Sequence, residues 1–62
     1  MKKTFRVLQG KKGEKLFVWK EFNSYKKAVA YFEMCKAGIT GTEIVLEEYD
    51  GFGYNAIIIE SN

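Results

Sequence analysis

The chain has 62 residues, a formal net charge of +2, one cysteine and no histidine, and 47% of its residues are hydrophobic. This length predicts a single domain over 1–62, and so small a chain buries only about 60% of the surface that its unfolded form exposes. Cys35 cannot form an internal disulfide and the lack of histidine excludes the usual zinc sites, so packing or self-association must stabilise the fold.

The first third of the chain is predicted to form a β-hairpin. Residues 2–9 alternate polar and apolar side chains, with Phe5 and Val7 on one side, which is the period of a strand. The glycines and lysines of 10–13 predict a turn, and 15–22 predicts a second strand rich in β-formers. The glycine spacing matches no phosphate-binding motif and no helix follows it, so a phosphate site is not expected.

An amphipathic helix is predicted over 25–37. Ser24 or Asn23 can cap its first turn, and Lys36 suits the negative end of the helix dipole. Gly38 is expected to end the helix in a left-handed conformation. The core of the domain is expected on its apolar stripe, which consists of Tyr25, Ala28, Val29, Phe32 and Cys35.

The remainder of the chain is predicted to form a second hairpin, with strands over 43–49 and 54–60 and a turn at Asp50 and Gly51. If the strands lie in the order second, first, third, fourth, the sheet is wholly antiparallel. The predicted fold is therefore an α+β two-layer domain of order β-β-α-β-β, a four-stranded, mainly antiparallel sheet with one helix on one face.

One helix covers only one face of such a sheet, yet both faces carry apolar side chains in this sequence. An uncovered apolar face of that size is unusual in a monomer, so a second layer is expected, most simply another copy of the chain. The alternative is that sheet twist and long lysine stems shield the apolar side chains. The residues expected to mediate self-association as a homodimer are Phe17, Trp19, Ile57 and Ile59.

A second candidate contact surface lies on the helix. Tyr31 and Met34 are predicted to project away from the Phe32 stripe, beside Lys27, and these three residues are the candidate site for a protein partner. For Met34 the alternative is a local contact with Ile39 after the end of the helix.

Charge is unevenly distributed along the chain. Residues 1–27 hold nine of the ten lysines and arginines and have a net charge of +7, while 28–62 hold six of the eight acidic residues and have a net charge of −5. This separation favours self-association through opposite charges. It also allows a nucleic-acid site on the first hairpin, where aromatic rings stack on bases and the phosphates are held by Lys11, Lys12, Lys15 and Lys20. The single arginine and the acidic second half disfavour that alternative.

Catalytic motifs are not found in this sequence. Histidine is absent and Cys35 is predicted to be buried, which removes the commonest general base and nucleophile, and neither a cofactor nor a metal is expected. Glu47 and Glu48 are consecutive in a strand, so their carboxylates point to opposite faces and cannot act as an acid and base pair. The sequence predicts no signal peptide and no membrane span, and a cytoplasmic location is expected.

The stretch FVWKEFNSYKKAVAYFEM, residues 17–34, is a lysine-edged strand that passes through Asn23 and Ser24 directly into an aromatic helix. It resembles the strand-to-helix junction of small accessory proteins encoded by phages and mobile elements. The resemblance implies an anti-defence-like product that binds a host protein and inhibits or modulates it. The expected function is a non-enzymatic protein-binding module that acts as a homodimer, and the alternative is a small nucleic-acid-binding protein.

Overall fold

The computed structural model describes residues 3–38 and 41–61. The elements are β1 (Phe5–Lys11), β2 (Phe17–Phe22), α1 (Tyr25–Gly38), β3 (Thr42–Tyr49) and β4 (Tyr54–Ser61). All strand pairs are antiparallel, the sheet order is β2-β1-β3-β4, and α1 packs on one face, which confirms the predicted α+β fold. The predicted strand start at Lys2 and part of the connection before β3, including Ile39, lie outside the described residues.

The first strand ends later than the sequence predicts. Gly10 and Lys11 belong to β1 because they pair with Glu43 and Thr42 of β3. The predicted turn over 10–13 is therefore wrong at its start, and the turn follows Lys11, whose carbonyl oxygen accepts a hydrogen bond of 3.0 Å from the Glu14 amide.

Gly10→Ala is expected to destabilise the fold by about 1–3 kcal/mol through overpacking. A Cβ at this position would lie 2.9 Å from the Lys15 carbonyl oxygen and 3.0 Å from Cδ2 of Leu16. Because that oxygen belongs to the backbone, relief requires the segment directly before β2 to shift. Urea denaturation measures the loss. Gly53→Ala is the matched control, since a Cβ there meets no heavy atom within 4 Å. Equal losses in the two variants would contradict the expectation.

The helix begins as predicted and ends differently. The Lys27 amide donates to Oγ of Ser24 at 3.4 Å, and the Ala28 amide donates to the Ser24 carbonyl at 3.0 Å, so Ser24 is the cap. Gly38 lies inside the helix, and its φ is not in the left-handed region, so the prediction that it ends the helix by that conformation is wrong. Lys36 bonds to Glu33 and to Glu60 of β4, which ties the last turns to the sheet.

The core lies between α1 and the two central strands. Ala28, Phe32 and Cys35 are buried as predicted, and Val29 packs against them. Tyr25 is the exception in the predicted stripe, because it is half exposed, and its ring lies 5.5 Å from that of Phe5 in an edge arrangement. The sheet contributes its helix-facing side chains, which are Phe5, Val7, Ile44 and Leu46.

The helix-free face of the sheet is only partly apolar. Strand pairing sets Val18, Leu8, Val45 and Ile59 side by side, and these four residues are termed the aliphatic row. Its two inner members, Leu8 and Val45, are buried although no helix lies over them, whereas the two outer members are exposed. Beside the row Arg6 donates to Glu47, and its guanidinium lies 3.7 Å from the centre of the Tyr54 ring. The helix-free face therefore carries apolar side chains as expected, but an ion pair lies beside them.

Ion pairs within the fold neutralise part of the uneven charge along the chain. Because β1 pairs with β3, Arg6 lies opposite Glu47, and Nζ of Lys3 lies 3.2 Å from Glu48. Glu47 and Glu48 accordingly bind different cations, as expected for consecutive positions in a strand. The pairing neutralises acidic residues of the second half with cations of the first.

Candidate protein-binding surface

The helix stripe predicted to bind a partner meets strand β2 at Tyr31. Lys27, Tyr31 and Met34 are spaced as neighbours on one face of α1. The Tyr31 ring packs at 5.4 Å from Phe22 and at 6.5 Å, edge on, from Trp19. The prediction that Tyr31 projects away from the Phe32 stripe as an exposed contact residue is corrected in part, because its ring packs on two side chains of β2 and against the core.

Strand β2 adds its own exposed side chains to this stripe. Pairing with Gln9 places Phe17 on the helix side of the sheet, where 64% of its surface is exposed. Trp19 is 39% exposed and stands at a β-bulge, where the pairing with β1 shifts between Val7 and Leu8. The bulge turns the indole towards the helix. The set termed the β2–helix surface consists of Phe17, Trp19, Lys20, Lys27, Tyr31 and Met34.

Lysine and methionine complete this surface. Nζ of Lys20 lies 5.7 Å from the centre of the Phe22 ring and 5.6 Å from that of Tyr31, within the range of cation–π attraction. Met34 is 64% exposed. The surface thus combines aromatic rings, of which Trp19 and Tyr31 pack on each other, with a flexible thioether and positive charge, which are features of protein-binding sites.

Cys35 lies behind this surface and does not provide a reactive thiol. Burial raises the pKa of Cys35, and its interaction with the Tyr31 hydroxyl only partly offsets that effect. Burial also raises the pKa of Tyr31, to which the neighbouring Cys35 adds. Both groups are neutral at physiological pH, so Cys35 acts as a small buried side chain.

The residues predicted to mediate self-association do not share one surface. Phe17 and Trp19 lie on β2, at one edge of the sheet, while Ile57 and Ile59 lie on β4, at the other. Ile59 belongs to the helix-free face, because it pairs with Val45, whereas Phe17 belongs to the helix side. One dimer interface on a single face or edge of the sheet therefore cannot contain all four residues.

The lysines of the nucleic-acid alternative are exposed on the first hairpin. Lys11, Lys12 and Lys15 surround the turn between β1 and β2, and Lys20 belongs to the β2–helix surface. Within residues 3–38 and 41–61, none of these four lysines forms an ion pair. The first hairpin consequently keeps a positive field.

One exposed aromatic residue was not predicted as a site. Phe52, at the tip of the turn between β3 and β4, is 99% exposed. Oδ1 of Asp50 accepts from the amides of Phe52 at 2.8 Å and Gly53 at 3.0 Å, and these bonds lower the pKa of Asp50. The signal in the sequence was a phenylalanine between two glycines directly after the turn residue Asp50, which indicates a ring without packing neighbours.

Further properties of the described residues bear on possible functions. They contain no grouping of three or more aspartate, glutamate, cysteine or histidine side chains placed to hold a metal ion. In the same part of the chain, α1 is too short and too polar to cross a membrane. Comparison of the sequence and fold with family models, curated proteins and solved structures finds no match.

Proposed function

We propose that this chain is a non-enzymatic protein-binding module that acts as a homodimer and binds its target through the β2–helix surface. The observation that carries the proposal is the exposure of Phe17 and Trp19 on β2 and of Met34 on α1, two elements that meet where Tyr31 packs on Trp19 beside Lys20. Aromatic residues and methionine are enriched at protein interfaces, and a few such anchors supply most of the binding energy.

The surface is organised before any partner arrives. Tyr31 supports Trp19 from the helix, and Lys20 rests against the Tyr31 and Phe22 rings. Binding therefore costs less conformational entropy than it would with mobile anchors. Lys20 and Lys27 favour a target whose contact area carries acidic side chains around an apolar centre.

The resemblance of residues 17–34 to phage accessory proteins covers most of the same surface. It supports a host protein as the target, with inhibition or modulation of that protein as the result of binding. A cytoplasmic site of action belongs to the same proposal.

The test compares three alanine variants of exposed residues. Phe17→Ala and Met34→Ala are expected to weaken target binding at least about tenfold, or about 1.4 kcal/mol, because they remove anchors of the interface. Their melting temperatures should stay close to that of the parent, since exposed side chains contribute little to stability. The tagged protein captures the target from a lysate, mass spectrometry identifies it, and calorimetry with the purified target measures the affinities.

Phe52→Ala is the matched control, because it removes the same ring from a site of even greater exposure at the other hairpin. It is expected to leave the affinity unchanged. Loss of binding in Phe52→Ala with normal binding in Phe17→Ala would refute the β2–helix surface and assign the contact to the β3–β4 turn.

The alternative function is binding of single-stranded nucleic acid by the first hairpin. It is favoured by the lysines of that hairpin, which form no ion pairs among the described residues, while Glu47 and Glu48 are neutralised within the fold. Capture repeated at low and high salt, with nuclease treatment, separates the two functions. Nucleic-acid binding falls steeply with salt and with Lys11→Glu combined with Lys12→Glu, whereas an apolar protein interface persists.

A further inference from the structure

The two edge strands of the sheet, β2 and β4, differ in how well they are protected against pairing with a strand of another chain. Natural edge strands are blunted by lysine, by bulges and by short length. Both edge strands contain a bulge, at Trp19 in β2 and at Ile57 in β4, so length and lysine content distinguish them. Strand β2 has six residues, one of which is Lys20. Strand β4 has eight residues without lysine or proline, and its exposed side chains include Ile57 and Ile59. The outer edge of β4 is therefore the better template for an added strand.

The bulge in β4 restricts how two copies of this strand can pair. Before the bulge, Ala56 lies opposite Glu47 on the helix-free face, and after it Ile59 lies opposite Val45 on the same face. Ile57 is the extra residue of the bulge. The side chains that follow it therefore point to the faces opposite to those that an unbroken alternation would give. Antiparallel pairing of two β4 strands about a twofold axis over their full length, Tyr54–Ser61, sets Ala56 of one copy opposite Ile59 of the other, and the bulge keeps the faces aligned in this register.

In this register, the side chains that face each other across the two copies are also complementary in size and charge. It sets the small Ala56 against the large Ile59, and Glu60 against Asn55 of the second copy rather than against another glutamate. Lys36 already binds Glu60, and Arg6 already binds Glu47, so the acidic half of each copy approaches the other with less repulsion.

We propose that two copies of this chain join through antiparallel pairing of their β4 strands, with Ala56 opposite Ile59, to form one continuous eight-stranded sheet. This deepens the homodimer part of the proposed function and rests on it. A twofold axis perpendicular to the sheet places both helices on the same side. The two β2–helix surfaces then lie at the far ends of the sheet, free to bind two target sites at once.

The register is tested by disulfide trapping in a Cys35→Ala background. Ala56→Cys and Ile59→Cys are prepared as separate proteins and oxidised alone or mixed. The mixture is expected to yield covalent dimers, because the two positions face each other across the paired strands, within the short range of a disulfide. Each protein alone should yield none, since neither position faces itself. A mixture without covalent dimers overturns the register.

The edge is tested separately by two lysine substitutions at exposed apolar residues. Ile59→Lys is expected to raise the dimer dissociation constant at least about tenfold, because lysine on an edge opposes strand addition. Phe17→Lys on β2 is the matched control and should leave dimerisation unchanged. Light scattering at micromolar concentration follows the mass, and circular dichroism confirms folding. A parent mass at the monomer value of 7.2 kDa, or dissociation caused by Phe17→Lys alone, overturns the proposal.

These measurements need no target protein, so a negative result for the dimer does not depend on whether the target binds. Normal capture of the target without trapped dimers would refute β4 pairing and leave the β2–helix surface in place. Trapped dimers with equal target affinity in all alanine variants would refute the β2–helix surface and leave the dimer in place.

Discussion

Phe32→Ala is expected to lower the free energy of unfolding by about 3–5 kcal/mol, because it removes a fully buried ring and leaves a cavity. Phe32 lies at the centre of the core, where α1 meets the central strands, and none of its surface is exposed. A domain of this size has a small reserve of stability, so the variant should be largely unfolded at room temperature.

The measurement is urea denaturation followed by circular dichroism at one fixed protein concentration, because dimerisation makes apparent stability depend on concentration. Met34→Ala on the same helix is the control and should change stability by less than about 0.5 kcal/mol, since Met34 is exposed. A Phe32→Ala variant as stable as the Met34→Ala variant would show that the helix face is assigned wrongly.

Leu46→Ala is expected to cost about 4 kcal/mol, and Leu8→Ala about 2 kcal/mol, although both replace a buried leucine. Leu46 faces α1 and is enclosed on all sides, so its removal leaves a cavity that cannot collapse. Leu8 belongs to the aliphatic row on the helix-free face, where neighbouring side chains and water can fill the space.

The same denaturation experiment compares the two variants. A cost for Leu8→Ala as large as that for Leu46→Ala would mean that a second layer covers the aliphatic row in solution. That layer would be another copy of the chain packed face to face, and the β4 pairing proposed above would then have to be abandoned.

The elements could be predicted from the sequence because each carries a local signal. The period of two in β1 and the spacing of Ala28, Phe32 and Cys35 in α1 both depend on geometry within a few residues. The strand order was one arrangement that the sequence allowed, a wholly antiparallel one, and the structure decided it because pairing between distant strands leaves no local signal.

The candidate surface could be predicted only in part. Lys27, Tyr31 and Met34 were recognised as one helix stripe, but local periodicity does not say which strand that stripe rests on. The contacts of Tyr31 with Trp19 and Phe22 follow from the position of α1 across the sheet. Phe52 was missed because its exposure depends on the Asp50 hydrogen bonds that hold the turn.

The sequence by itself determined the α+β order of elements, the buried helix residues Phe32 and Cys35, and the excess of positive charge in the first hairpin, since all three depend on residue type and short-range spacing. Only the tertiary structure decided that Arg6 neutralises Glu47 and that Phe17 and Ile59 face opposite sides of the sheet. The physical reason is the register between strands distant in the chain, because a bulge at Trp19 or Ile57 reverses which face each following side chain occupies.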